Sequence, residues 1–278
     1  MTELLPLAAL LLAVGVVAGV SAGLFGIGGG AVMVPALFFA FSALGVNPEV
    51  VMHCAVATSA SVIIVNGYRS VRGHLARSSV DLQVLWPSAW WRSYGLWIGV
   101  GSFIGAWWLA PRLASDTLTL IFAMVATGVA LQFIFGRPDF TVLRNVPGGA
   151  APPIVGGGVG ALSAIMGIGG GSISVPLLTL CGMPVHRAVG TAAGFGLAIA
   201  VPATIGFVLS GWGVTGRPPG SLGYVNFAGF ALIVVSAWFA VPLGTALAHR
   251  LEAVPLRRIF GLCLALVALN MARKAGLF

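Results

Sequence analysis

The sequence predicts an all-α polytopic membrane protein of about ten transmembrane segments, arranged as two inverted five-helix repeats with short broken segments at two glycine motifs. Three observations predict it. The 278 residues are 59% hydrophobic and only 7% charged. The apolar residues fall into discrete runs, and the first half of the chain repeats in the second. A soluble domain carries about 25% charged residues to keep its surface wet. Twenty charges cannot do this for 278 residues, which excludes a soluble enzyme and a disordered chain.

The apolar runs are 4–25, 30–44, 50–68, 94–113, 118–135, 154–166, 172–182, 188–209, 225–248 and 258–272. The first begins without a basic n-region and is too long for a signal h-region, so it reads as a membrane helix. The second, sixth and seventh are too short to cross ~30 Å at 1.5 Å per residue. Short, glycine-interrupted segments in matching places of two halves mark a transporter-type binding site. Between Arg69 and Arg92 lies the longest polar connection, closed by Trp86, Trp90 and Trp91, residues suited to an interfacial belt. The Pro- and Gly-rich stretch 138–153 reads as a linker between a first repeat, 1–137, and a second, 154–278.

The duplication is explicit. Residues 15–37 align with 156–178 at a constant offset of 141, and ten of the 23 positions are identical. His53 and Thr58 match His186 and Thr191 at offset 133, and Arg112 matches Arg250 at offset 138. Five segments per copy is an odd number, so the second copy enters the membrane inverted. Placing the Arg69–Arg92 loop in the cytoplasm also puts Arg137, Arg144, Arg187, Arg250, Arg257 and Arg258 inside. Arg112, Arg217, Arg273 and Lys274 then fall outside, and ten against four obeys the positive-inside rule with both termini outside. The +8 charge is thus topological and implies no nucleic-acid partner. Cys54, Cys181 and Cys263 form no CxxC and read as small buried helix residues.

The residues able to carry chemistry centre on Gly26-Ile27-Gly28-Gly29-Gly30, followed by Val34-Pro35, and its twin Gly167-Ile168-Gly169-Gly170-Gly171, followed by Val175-Pro176. Glycine lets backbone turn tightly and stand close to a ligand. Each cluster precedes a short helix whose first N–H groups lack intrahelical partners and carry partial positive charge. Gly28, Gly29, Gly30, Gly169, Gly170 and Gly171 are therefore candidate anion contacts. Ser172 beside the second cluster, with Thr58, Ser59 and Thr191 on the following segments, are candidate hydroxyl donors. Ser172 and Ser174 replace Ala31 and Met33 of the first copy, which makes the second half the polar one. His53, His186 and Arg187 lie near segment ends, as solvated interface residues at a gate or mouth. Gly15, Gly19 and Gly23, echoed by Gly156, Gly160 and Ala164, read instead as helix-packing faces, and Asn66, Gln132 and Asn270 as interhelical hydrogen-bond groups.

Other chemistries lack support. Gly26-x-Gly28-x-x-Ala31 imitates a dinucleotide fingerprint but has no preceding strand or βαβ unit. HExxH, GxSxG and Walker A motifs are absent, and all six carboxylates fall at segment ends or loops, which leaves no buried carboxylate for a proton or cation relay. No catalytic residue, cofactor or metal site is expected.

The paired GxGGG-x3-VP segments at 26–35 and 167–176, with the His-x4-Thr starts of the following helices, resemble the sulfite exporter TauE/SafE family of membrane transporters over nearly the whole chain. The resemblance implies movement of small sulfur-containing anions, sulfite or an organosulfonate, across a bacterial inner membrane. The partners so implied are that anion and the lipid bilayer, with a homo-oligomer left open. A membrane anion receptor or assembly component that binds without transport remains the alternative.

Overall fold

The computed structural model describes residues 4–26, 28–87, 89–136, 141–248 and 253–275, of which 4, 253–257, 259 and 260 are described by their backbone alone. Ile27 of the first motif, Arg137, Pro138 and Arg250 lie outside the described residues. The chain is mostly helical. The helices are α1 (Leu4–Phe25), α2 (Gly30–Ala43), α3 (Pro48–Leu75), α4 (Leu82–Leu85), α5 (Tyr94–Ile104), α6 (Ser115–Phe135), α7 (Gly157–Met166), α8 (Gly171–Leu180), α9 (Val185–Ser210), α10 (Phe227–Leu247) and α11 (Ala253–Lys274). A two-stranded hairpin, β1 (Ser221–Leu222) with β2 (Val225–Asn226), precedes α10.

Among the described residues, five helices are long and apolar enough to cross a bilayer: Leu5–Phe25, Pro48–Leu75, Ser115–Phe135, Val185–Ser210 and Phe227–Leu247. The other predicted segments are short, broken or more polar. Residues 94–112 form α5, then a π turn over Gly105–Leu109 and a 3-10 turn over Ala110–Arg112, where Pro111 cannot continue the ladder. A similar π turn, Pro152–Gly156, leads into α7, so helix begins inside the stretch expected to be linker. α2 and α8 have 14 and 10 residues, or about 21 and 15 Å. α3 runs seven residues past the predicted end, because its polar last turns still have partners. Ser70 Oγ donates to the Ala22 carbonyl at 3.1 Å, and His74 Nε2 lies 3.2 Å from the Gly23 carbonyl. Both groups tie the last turn of α1, where the Ala22 carbonyl also accepts from the Gly26 N–H at 3.1 Å.

The packing pairs the halves. α1 runs parallel to α10. A Cβ added at Gly15 would overlap Ser236 and Ile233, one at Gly19 would stand 2.8 Å from the Ala237 carbonyl, and one at Gly23 would overlap Val241. α5 runs parallel to α7 in the same manner, Gly101 against Gly157 and Gly105 against Ala161. Gly160 meets Ile98, so the small-residue faces serve backbone-to-backbone packing as the sequence indicated. α3 packs on α9 and α6 on α11, which completes a set of contacts between corresponding or exchanged elements of the two halves. α3 is the most enclosed of the five long helices. Outside it, Trp86, Trp90, Trp91, Trp107, Trp108 and Trp212 are exposed at helix ends and loops, as an interfacial belt requires.

The cysteines depart in part from the expectation. Cys54 is buried, but Cys181 caps α8 half-exposed and Cys263 is exposed on α11. Short apolar side chains are tolerated on a surface that faces lipid, so burial does not follow from an apolar run.

Candidate functional site

α1 ends at Phe25, and the chain turns through Gly26, Gly28 and Gly29 at φ of 68°, 69° and 82° before α2 begins. All three angles lie in the left-handed region that favours glycine. Gly29 caps α2 and accepts from the N–H of Val32 and of Met33 at 3.1 and 3.2 Å. The N–H groups of Gly30 and Ala31 precede this first bond. Pro35 in α2 and Pro176 in α8 lack an N–H, which frees the carbonyls of Ala31 and Ser172 one turn above each cluster.

The two clusters lie against each other. A Cβ at Gly28 would stand 2.9 Å from Ile63 and 3.3 Å from the Cα of Gly169. One at Gly30 would overlap the Gly167 carbonyl and stand 2.8 Å from Ile168 Cα. Ser59 Oγ donates to that Gly167 carbonyl at 2.8 Å, and Asn66 Nδ2 to the Gly28 carbonyl at 3.4 Å, so α3 side chains tie both turns. The second cluster is built differently. Gly167 has φ 61°, but Gly170 is helical at φ −51°. A Cβ at Gly170 would face Phe195 and the Gly196 N–H at 3.0 Å. Gly170 therefore needs no positive φ, and its chain enters α8 through a helical cap.

The hydroxyls divide into two groups. Thr58 and Thr191 are fully buried and hold loops of the opposite half. Thr58 Oγ1 accepts from the Asn226 N–H and Thr191 Oγ1 from the Asp81 N–H, both at 2.9 Å. Asn226 and Asp81 are themselves N-caps, of α10 and α4. By contrast, Ser163, Ser172 and Ser174 are buried with no hydrogen-bond partner for Oγ. They sit on α7 and α8, either side of the second glycine turn. Buried hydroxyls without partners are costly, so each needs a reason. Ser163 was missed from sequence. Offset 141 sets it opposite Ala22, the same Ser-for-Ala signal that flagged Ser172.

The histidines and Arg187 are not at this site. His53 is 4% exposed, with Nε2 3.1 Å from the Ala110 carbonyl and its ring stacked on Tyr224 at 5.2 Å. It is thus no solvated interface residue: the 105–112 turns and the hairpin loop cover it. His186 and Arg187 are exposed, and Arg187 bonds the Asp81 carboxylate at 2.7 Å. No carboxylate among the described residues is buried; Glu3, Asp139 and Glu252 lie outside them. No cluster of three or more metal-type ligands occurs among the described residues.

The family model "Sulfite exporter TauE/SafE" matches residues 11–271. A "Probable membrane transporter protein" of Haemophilus influenzae is 32% identical over 272 residues, covering 95% of this chain and 98% of its own. "Probable membrane transporter protein YunE" of Bacillus subtilis is 25% identical over 97% of this chain and 98% of its own. A probable membrane transporter protein of Methanocaldococcus jannaschii is 27% identical over 97% of each. No solved structure matches the chain. The match over nearly all of its length shows that the chain belongs to the sulfite exporter TauE/SafE family and is a multi-pass membrane transporter rather than an enzyme.

Proposed function

We propose that this transporter exports a small sulfur oxyanion, sulfite first or a related organosulfonate, from the cytoplasm across a bacterial inner membrane. The observation that carries the reading is the polar excess at the apposed glycine turns, where Ser163, Ser172 and Ser174 are buried with hydroxyls that lack partners. An oxyanion accepts several hydrogen bonds at once. Backbone N–H groups of Gly28–Gly30 and Gly169–Gly171, with Ser172, answer it without a buried cation, which costs several kcal/mol unpaired and holds an anion tightly. Ser59, Thr58 and Thr191 serve this site as supports: they fix its turns and loops. His53, His186 and Arg187 belong to the two mouths.

The chain has ten segments in two inverted repeats, 1–137 and 154–278, joined by the linker 138–153, with both termini outside. The parallel pairs α1 with α10 and α5 with α7 support this reading, because segments of like direction pair across the halves. So do the loop contacts that cross the halves: Asn47 meets Gly216, and Asp81 meets Arg187.

An interior-negative potential drives an anion outward by about 2.3 kcal/mol per charge per 100 mV. A tenfold opposing gradient costs about 1.4 kcal/mol. Export then needs no coupling ion, in keeping with the lack of a buried carboxylate among the described residues. The test is sulfite efflux from proteoliposomes at constant pH under an imposed interior-negative potential, without sodium. Efflux should rise with the potential. Flux that ignores the potential and demands a sodium gradient overturns the mechanism, and binding without flux marks a receptor.

A further inference from the structure

We propose that two loops are the gates of this transporter, residues 211–226 at the outer mouth and 76–86 at the inner one, each latched shut by the matched threonine of the other half, Thr58 or Thr191. This rests on the export reading and the orientation given above. The arrangement is reciprocal. The 76–86 loop follows α3 and lies over the start of α9, where the Asp81 N–H donates to Thr191 Oγ1 at 2.9 Å. The 211–226 loop follows α9 and lies over the start of α3, where the Asn226 N–H donates to Thr58 Oγ1, also at 2.9 Å. α3 and α9 therefore run antiparallel, with one latch at each end of the pair.

Each loop has further contacts with the helix it covers. Arg187 pairs with Asp81, and Tyr224 stacks on His53. A Cβ at Gly190 would overlap the Ser79 carbonyl, and one at Gly216 would stand 2.9 Å from Asn47 Cβ. The loops themselves are unlike: Asp81 caps the short helix α4, and Asn226 ends a hairpin and caps α10. The threonine position is thus the shared part, and it performs one task at both ends.

The glycine turns lie between the latches, and Gly28–Gly30 and Gly169–Gly171 are buried. Ser59, next to Thr58, donates to the Gly167 carbonyl at 2.8 Å. Phe195 lies about one helical turn past Thr191, with its Cβ where a Cβ on Gly170 would approach to 3.0 Å. Each helix holds a gate and a glycine turn within one turn of its length, so a shift that frees the gate also moves the glycine turn. A neutral hydrogen bond contributes little net, because water replaces it once the loop lifts, so either latch can open during transport. With both latches made, the structure corresponds to the occluded state between the two open ones.

Asn47 and Gly216 are exposed and bracket the outer gate. In the double variant Asn47→Cys, Gly216→Cys, dibromobimane joins the two thiols by thioethers, which sulfite does not cleave. Sulfite efflux from proteoliposomes and sulfite binding by calorimetry are measured before and after crosslinking. Wild type treated alike, and the double variant with monobromobimane, control for modification of other thiols. Crosslinking should cut efflux by about tenfold or more and leave affinity within about twofold. A loop with a merely structural role is already held in this position, so its crosslinking would not touch flux. Full efflux through crosslinked protein overturns the gate and leaves the export reading standing.

If the double variant does not fold or crosslink, the native cysteines decide. Cys54 is fully buried behind the outer gate, within electrostatic reach of Arg217 and Tyr224 of that loop, and Cys263 is exposed on α11. N-ethylmaleimide labelling of Cys54 relative to Cys263 is read by mass spectrometry on the full-length protein without sulfite. The ratio should rise several-fold in Thr58→Val, return to wild type in Thr58→Ser, which keeps the acceptor, and stay low in Thr191→Val. A ratio that ignores Thr58→Val, or that Thr191→Val raises as much, overturns the latch. Protein that neither binds nor moves sulfite overturns the export reading, and the gates with it.

Discussion

The two Gly-Ile-Gly-Gly-Gly turns have one sequence and two backbones. In the first, Gly26, Gly28 and Gly29 all have positive φ; in the second only Gly167 does, and Gly170 is helical at −51°. Their surroundings differ as well. Ala31 and Met33 follow the first turn, Ser172 and Ser174 the second, and Met33 is packed where Ser174 is unpartnered. The proposed mouths differ in the same sense: His53 is buried under Tyr224, whereas its counterpart His186 is exposed. A duplicated sequence can therefore support an asymmetric structure, because glycine has two accessible backbone wells at little difference in energy and the neighbours decide between them. In the proposed inverted transporter, which opens to one side at a time, the halves must differ at every moment.

The largest test of this contrast is an alanine at the central glycine of each turn. In the first turn, Gly29→Ala puts a side chain at φ 82°, with its Cβ 2.5 Å from the Ala18 carbonyl. Strain of roughly 1–2 kcal/mol and overpacking of about 1–3 kcal/mol add to a severe loss. Gly170→Ala keeps an ordinary helical φ and asks neighbours at 3.0–3.1 Å to give slightly, for about 1 kcal/mol. Thermal unfolding in detergent, followed by sulfite titration, should therefore rank Gly29→Ala far below Gly170→Ala. Equal losses would mean that the two turns share one backbone.

Much of this was legible in the residues and some was not. Hydropathy marks α1 as 4–25, and α1 spans Leu4–Phe25, because an apolar run ending in Gly26 leaves one place to stop. The GxxxG faces likewise translate into contacts, since a missing Cβ is itself a packing instruction. The split between Gly29 and Gly170 has no such signal, for glycine permits both wells. The burial of His53 depends on Tyr224 and Ala110, which are far off in sequence. The extension of α3 to Leu75 depends on carbonyls of α1 that accept from Ser70 and His74. The hairpin before α10 has two residues per strand, below what an alternation pattern can register.

The mirrored threonines give the next effect. Thr58→Val strands the N–H of Asn226, which is 3% exposed, and Thr191→Val strands that of Asp81, which is half-buried. An unpaired buried donor costs roughly 1–3 kcal/mol, less where water can reach it. Thr58→Val should therefore destabilise more than Thr191→Val, by about 1 kcal/mol in unfolding measurements. The reverse order would show that the Thr58 mouth is the wetter one.

A smaller change tests the polar difference between the halves. Ser172→Ala removes one proposed donor and should weaken sulfite binding about tenfold, the worth of roughly 1.4 kcal/mol from a hydrogen bond to a charged acceptor. Ala31→Ser installs the same hydroxyl at the matching position of the first copy, which lines an apolar cavity between α1, α2 and α11, and should leave affinity within about twofold by calorimetry. If both variants shift affinity alike, the anion contacts the turns symmetrically.

The smallest effect belongs to the Arg187–Asp81 ion pair, which among the described residues occurs at one proposed mouth and not the other. Offset 133 puts Cys54 opposite Arg187, and Asn226 stands where Asp81 does at the other end, so the matching positions of the first proposed mouth form no ion pair. Arg187 is 52% exposed against 17% for Asp81, and water screens much of a 2.7 Å contact placed there. Arg187→Gln should cost no more than about 1 kcal/mol, and high salt should erase the difference from wild type. Asp81→Ala should cost more, because Asp81 Oδ1 also accepts from the N–H groups of Gln83 and Val84 and so caps α4. Asp81→Asn keeps the cap and loses the charge, so it should match Arg187→Gln. Thermal unfolding of the three variants across a salt series measures the order. If Arg187→Gln alone costs several kcal/mol and resists salt, the pair is shielded from water. The exposed mouth would then be closed like the His53 mouth, and the difference between the two ends would vanish.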